Sequence, residues 1–278
     1  MTNHIDVIVA IAAVAIALTL GASIGSFINV VAYRIPAGLS LLWPPSRCPH
    51  CLHKLGKTEN VPVFGWLRLR GRCAHCKSPI SVRYPIIEAL TAVIFMIVAL
   101  FTWENPLQMM GYWVFFSWLL ALSIIDLDTM TLPNKLTQSG LVVGLGFQMV
   151  TGWAIAANVQ GIPHQLMVGI FGAVLGIWLL DSISFVGSIA FGKTAMGAGD
   201  AKLAAMMGAW LGWKLMLLGG FIACAAGAFI GGGAVALGWL ERSKPMPFGP
   251  FLALGAAIAA LWGETLLSAY LDLFFPLQ

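Results

Sequence analysis

Apolar runs long enough to cross a bilayer recur along nearly the whole chain, and this fixes the class of fold before any motif is read. A membrane helix needs about 20 apolar residues. The runs fall at 7–32, 86–103, 107–126, 134–157, 164–190, 200–212, 214–240 and 248–274. Lipid offers the backbone no hydrogen bonds, so such segments must be helical. Composition agrees: 59% of the 278 residues are hydrophobic and 9% are charged, against about 25% charged in soluble domains. The chain reads as an all-α polytopic membrane protein with about eight transmembrane helices. The sixth run is short and its limits are the least defined.

The net charge of +4 does not point to nucleic acid, because nine of the fifteen Lys and Arg lie between Arg34 and Arg83. Short loops rich in these residues stay cytoplasmic. The first span therefore starts outside. It lacks a basic leader region of its own and is long enough to be an uncleaved helix. With alternating spans, Lys135, Lys193, Lys202, Arg242 and Lys244 also fall on the cytoplasmic side, and Lys214 is the exception. Three regions follow: 1–32 as the first membrane helix, 33–85 as a cytoplasmic domain and 86–278 as a membrane-embedded catalytic core.

The 33–85 region is too small for a large apolar core and needs a staple. Cys48-Pro49-His50-Cys51 and Cys73-Ala74-His75-Cys76 supply one, with 21 residues between Cys51 and Cys73. Two C-x-x-C knuckles give four thiolates, a set that suits tetrahedral zinc, and a reducing cytosol disfavours disulfides. A closed four-sulfur site leaves no position for substrate, so the zinc is expected to be structural. His50, His53 and His75 are nearby and one of them could replace a cysteine. Cys224 stands alone in an apolar run and reads as a small buried residue. No internal repeat is evident.

Ionisable groups at membrane depth are functional candidates by default. Asp126 closes the apolar run 112–125, Asp128 follows it, and Asp200 ends Gly197-Ala198-Gly199-Asp200. Asp126 and Asp200 close and open spans of opposite direction, so both lie at the same membrane face. Asp200 opens a helix, where the dipole favours its anion. Two carboxylates brought together share one proton and can activate water, which is aspartic-protease chemistry. Asp181 lies nearer mid-span, without a Gly-rich neighbour, and reads as a packing or substrate-contact residue. A proton or cation path through Asp126, Asp181 and Asp200 would explain the acids but not the knuckles. A zinc-stapled scaffold without chemistry is the other alternative.

The motifs together resemble those of the type IV prepilin peptidases, the prepilin leader peptidases and N-methyltransferases of the GxGD aspartic type. They are Gly25-Ser26-Phe27-Ile28-Asn29 with Tyr33-Arg34-Ile35-Pro36, both knuckles, Asn60-Val61-Pro62, Leu69-Arg70-Gly71-Arg72-Cys73, and the stretch from Ile80 through Arg83-Tyr84-Pro85 to Glu88. The 126–134 turn, 196–203, 208–213 and Pro247-Phe248-Gly249-Pro250-Phe251 complete the set. The resemblance implies cleavage of the basic leader from prepilins or pseudopilins at the cytoplasmic face of the bacterial inner membrane. It places the catalytic pair at Asp126 and Asp200, with Asp128 the weaker substitute for Asp126. It implies N-methylation with S-adenosylmethionine, whose binding residues the resemblance does not place, with Glu88 and the 25–34 segment as candidates. Asn134 stands where the family often has Asp. Related archaeal preflagellin peptidases lack the methylation step, and the cysteine loop argues against that version.

Overall fold

The computed structural model describes residues 4–192, 196–238 and 246–275. Lys193, Arg242 and Lys244, used above to orient the chain, lie outside the described residues. The helices are α1 (His4–Arg34), α2 (Phe64–Arg68), α3 (Arg83–Phe101), α4 (Pro106–Thr129), α5 (Asn134–Ala156), α6 (Gly161–Phe191), α7 (Ala198–Ala236) and α8 (Gly249–Phe274). All except α2 are long and apolar enough to cross a membrane. Among the described residues the only extended pairings are two isolated bridges in the loop. The chain forms two compact units, Met1–Ser117 and Trp118–Gln278, with their boundary inside α4.

In the first unit α1 packs on α3 through small residues. A Cβ added at Gly21 or Gly25 would lie 2.7 Å from the Cα of Ala92 or Glu88. Lipid gives no hydrophobic push between helices, so close backbone contact through small residues must supply the attraction. Polar groups tie the loop to these helices. The Glu88 carboxylate, itself buried, accepts the Val63 N–H at 2.6 Å, and Asn29 Nδ2 donates to the Tyr84 carbonyl at 3.2 Å. Trp113 Nε1 donates to the Phe95 carbonyl at 2.9 Å, and the two rings stack at 5.1 Å.

In the second unit α7 takes in two of the apolar runs read from the sequence, 200–212 and most of 214–240. It is one element of 39 residues, yet Gly212 inside it has φ 73° and ψ 174°. Only glycine adopts that region without strain. The neighbours on either side show what the break does. Before it, Gly176 meets Ala204 and Gly172 meets Gly208, so this arm runs antiparallel to α6. After it, Gly263 meets Leu215, Gly255 meets Gly219 and Phe248 reaches Gly227, so the second arm runs antiparallel to α8. Leu215 is level with Gly263, and Gly227 is level with the start of α8. At 1.5 Å per residue these marks are about 20 Å apart along the axis. The second arm therefore returns toward the end from which the first arm came. Spans 200–212 and 214–240 are the two arms of a hairpin turning at Gly212. Lys214 sits just past the turn, its Nζ 5.8 Å from the centre of the Trp213 ring.

Hydrogen bonds brace the first arm against α5. Trp210 Nε1 donates to the Gly140 carbonyl at 2.8 Å, and Gln148 Nε2 donates to the Trp210 carbonyl at 3.0 Å. Gln148 and Trp210 are both buried. Cys224, expected to be buried, is exposed. The second arm packs on α8 through Gly219, Ala223 and Gly227, and Cys224 turns away from that seam.

The turn at Gly212 is directly testable. A Cβ there would meet Val168 Cγ1 at 2.7 Å as well as forcing a strained backbone. Gly212→Ala should cost about 1–3 kcal/mol, read as a lowered thermal midpoint in detergent. Cysteines introduced at Lys202 and Ala236 should react with an impermeant reagent from one membrane face, and a cysteine at Lys214 from the other. A continuous α7 would put positions 202 and 236 on opposite faces.

Candidate functional site

Asp126 lies one turn before the end of α4. The helix stops at Met130, whose φ of 52° is left-handed and whose N–H closes on the Asp126 carbonyl at 2.9 Å. Such a left-handed residue is a common helix terminator. Pro133 then caps α5 with extended geometry, which its fixed φ suits. The turn between them brings Leu132 against α7: a Cβ on Gly199 would lie 2.9 Å from Leu132 Cβ. Gly199 is thus what lets the start of α7 sit on the turn after Asp126. Lys202 Nζ reinforces this seam by donating to Asn134 Oδ1 at 2.7 Å.

Asp200 is the third helical residue of α7, with Gly197 as the cap. Its N–H donates to the Gly197 carbonyl at 3.0 Å, which closes the first turn of the helix. Asp126 and Asp200 are both buried, at 5% and 7% exposure, and close enough for their charges to interact. Nearly dry surroundings strengthen that interaction well beyond its value in water.

Gly249, to which the sequence analysis assigns no role, is brought against Asp126 by the fold. Its N–H donates to Asp126 Oδ2 at 2.9 Å across 123 residues of chain. Gly249 opens α8, so this is one of the amides that a helix start leaves without an internal partner. A Cβ there would sit 2.7 Å from the same oxygen. Each acid therefore faces a helix N-terminus, Asp126 that of α8 and Asp200 that of α7. The dipole argument for Asp200 consequently applies to both. The signal in the sequence was Gly249-Pro250, since proline is favoured in a first helical turn. Asp128 is exposed. Asp181 is exposed too, and not at mid-span: Gly176 meets Ala204, and Ser184 Oγ donates to the Met196 carbonyl at 3.3 Å. The antiparallel register between those contacts puts Asp181 level with the start of α7.

The four knuckle cysteines gather in the first unit. Their sulfurs all lie within 4.8 Å of one another, with Cys48–Cys76 at 3.7 Å and Cys51–Cys73 at 3.9 Å. Four thiolates at zinc–sulfur distance around one ion sit about 3.8 Å apart, so the donor set fits that metal. Amides of Cys51 and His50 pull the Cys48 thiol down to about 6, while burial and the neighbouring sulfurs push that of Cys51 up to about 11, so the clustered thiols do not ionise independently. The two knuckles are copies of one turn. Cys48 N–H bonds to the His53 carbonyl and Cys73 N–H to that of Ser78, each at 2.9 Å. Leu52 and Lys77 both take left-handed φ, at 56° and 60°. The repeat is only a few residues long, too short for the self-similarity that sequence reading seeks. The His53 and His75 rings lie against each other at 3.4 Å, beside the sulfur cluster.

Gly249→Ala should push the Asp126 carboxylate from its donor and cost about 1–3 kcal/mol of stability, read by thermal melting. Cys73→Ser should remove bound metal from the purified chain, measured by elemental analysis. Full metal content in that variant would refute the four-sulfur site.

The comparisons with known proteins match this layout. Residues 19–102 match the Bacterial Peptidase A24 N-terminal domain and residues 113–232 match the Type IV leader peptidase family. A protein of Aeromonas hydrophila named prepilin leader peptidase/N-methyltransferase is 37% identical over 90% of this chain and 91% of its own. Proteins of the same name from Stutzerimonas stutzeri and Pseudomonas aeruginosa are each 35% identical, over 92% of this chain and 93% and 92% of theirs. No solved structure matches. With an acid pair set at helix starts, a four-cysteine loop and this identity over nine-tenths of its length, the chain belongs to the type IV leader peptidase family.

Proposed function

We propose that the chain is a membrane aspartic endopeptidase that removes the basic leader of type IV prepilins or pseudopilins and then N-methylates the new N-terminus with S-adenosylmethionine. The observation that carries the cleavage reading is the buried Asp126–Asp200 pair, assembled from two helices and held by backbone amides. The relatives' names carry both activities. The 33–85 region is the zinc-stapled domain, with Cys48, Cys51, Cys73 and Cys76 as structural ligands. The 86–278 region is the catalytic core. The basic composition of the loop supports a cytoplasmic side for the zinc domain and the active site.

Two interacting carboxylates in dry surroundings hold one proton between them. The ionised member takes a proton from a water molecule as that water attacks the scissile carbonyl. The neutral member donates its proton to the carbonyl oxygen, where negative charge grows. The Gly249 amide keeps the Asp126 side chain aimed while charge moves. Collapse of the tetrahedral intermediate needs a proton on the departing nitrogen, and the member that captured the water proton supplies it. The product amine is the methyl acceptor, and S-adenosylmethionine, when bound, supplies an electrophilic methyl group. Zinc is outside the hydrolytic step, since four sulfurs leave it no open position.

Asp126→Asn and Asp200→Asn should each lower the cleavage rate of a synthetic prepilin by about 10³-fold or more, with the thermal midpoint little changed. Asp128→Asn should leave cleavage largely intact. Normal turnover by Asp200→Asn would exclude the aspartic-protease assignment for that residue.

A further inference from the structure

By sequence, 33–85 reads as a domain outside the membrane, yet α2 inside it is tied beside the entry of a membrane span. At the head of α2, the Val63 N–H donates at 2.6 Å to the carboxylate of Glu88, the sixth residue of α3. Glu88 therefore lies about 8 Å inside the start of that helix. A helical side chain leans back toward its N-terminus, which brings the carboxylate to Val63 alongside the first turns of α3. Further along α2, Trp66 Nε1 donates at 3.0 Å to the carbonyl of Ile80, just ahead of α3. The short helix is thus pinned at both ends against the span. The packing of α1 gives the same depth independently. A Cβ on Gly25 would lie 2.7 Å from the Glu88 Cα, and Gly25 stands about 14 Å before the end of α1 at 1.5 Å per residue.

What α2 presents at that depth is apolar. Trp66 turns inward: a Cβ on Gly71 would lie 2.7 Å from its ring. Phe64 and Leu67, three residues apart and so on one helix face, are 72% and 55% exposed. Ile86 of α3, two residues from Glu88 and inside the span, is 57% exposed, so acyl chains already reach this level. Arg68, Arg70 and Arg72 follow at once and are exposed. An apolar face with cations directly behind it is the order of a segment at the boundary between acyl chains and headgroups. The position is also held against backbone preference. Val63 takes a φ of 64°, rare for a β-branched residue, and the Glu88 bond maintains it.

We propose that α2 is an interfacial anchor that lays the 33–85 region on the phospholipid leaflet around the start of α3. Phe64 and Leu67 sit among the upper acyl chains, and Arg68, Arg70 and Arg72 meet anionic headgroups. Arg68 donates to Thr58 Oγ1 at 3.3 Å, and its fork has further N–H groups to bind a lipid phosphate. A soluble partner could reach Phe64 only by displacing lipid from the span beside it. A second copy of the chain is the competing occupant, and the experiment separates the two. The anchor does not depend on the leader-cleavage or methyl-transfer reading, since it follows from depth, exposure and charge.

The test uses the full, unaltered chain in nanodiscs that carry a trace of photoactivatable phosphatidylglycerol, its reactive group close to the glycerol. Labelled residues are mapped by mass spectrometry. Label should appear within 61–70 as well as within α3. A matched phosphatidylcholine probe should label 64–72 at least about fivefold less, relative to α3, which is the enrichment one cation gives at an anionic surface. Changing Arg68, Arg70 and Arg72 together to Gln should bring the two probes level, in a chain that keeps its elution profile. Label in α3 with none in 61–70 overturns the anchor. Cross-linking of 61–70 to a second copy in place of lipid overturns it too. Equal labelling of the unaltered chain by both probes overturns the headgroup contact of the arginines.

Discussion

The structure turns on one hydrogen bond, from the Gly249 amide to the Asp126 carboxylate. A carboxylate cannot be buried among apolar helices without a donor. A helix start cannot be buried with its amides unmet. Each group answers the other's need, and the contact is possible only because residue 249 has no side chain in the way. The end of α4 and the start of α8 are fixed together by it. Gly199 repeats the logic on the other side, where the absence of a Cβ seats α7 on Leu132. The acid pair is the outcome of two backbone approaches that larger residues would block.

The hairpin at Gly212 sets the scale of this site. Its first arm is short, about 20 Å at 1.5 Å per residue, against a hydrocarbon core of about 30 Å. One end of such an arm must stop inside the membrane boundary, and Asp200 lies at an end. The long second arm and α8 close the unit with an ordinary small-residue seam.

The first unit follows a different principle. Its loop is too small to fold on apolar burial, so it is tied at separate points: four sulfurs at one end, Arg34 on three carbonyls, and Glu88 on Val63. Charged side chains here bind backbone, which organises a loop whose only helix is the short α2. The two knuckles reach the same turn from different residues, Leu52 and Lys77 both bending left-handed.

The sequence alone determined the class of fold and the four cysteines that gather, because lipid and a four-sulfur metal site each impose a spacing visible in a linear string. It also singled out Asp126 and Asp200, since acids at the ends of apolar runs are conspicuous. It did not give Gly249 a role, and it read Cys224 as buried and Asp181 as mid-span. These depend on which face of a helix meets which neighbour, and long uniformly apolar helices carry no periodic signal for that. Only the tertiary structure decided that the turn between spans 200–212 and 214–240 is made at Gly212. The physical reason is that a backbone angle open only to glycine is one of many possible uses of the thirty-one glycines in the chain, and contacts with α6 and α8 select it.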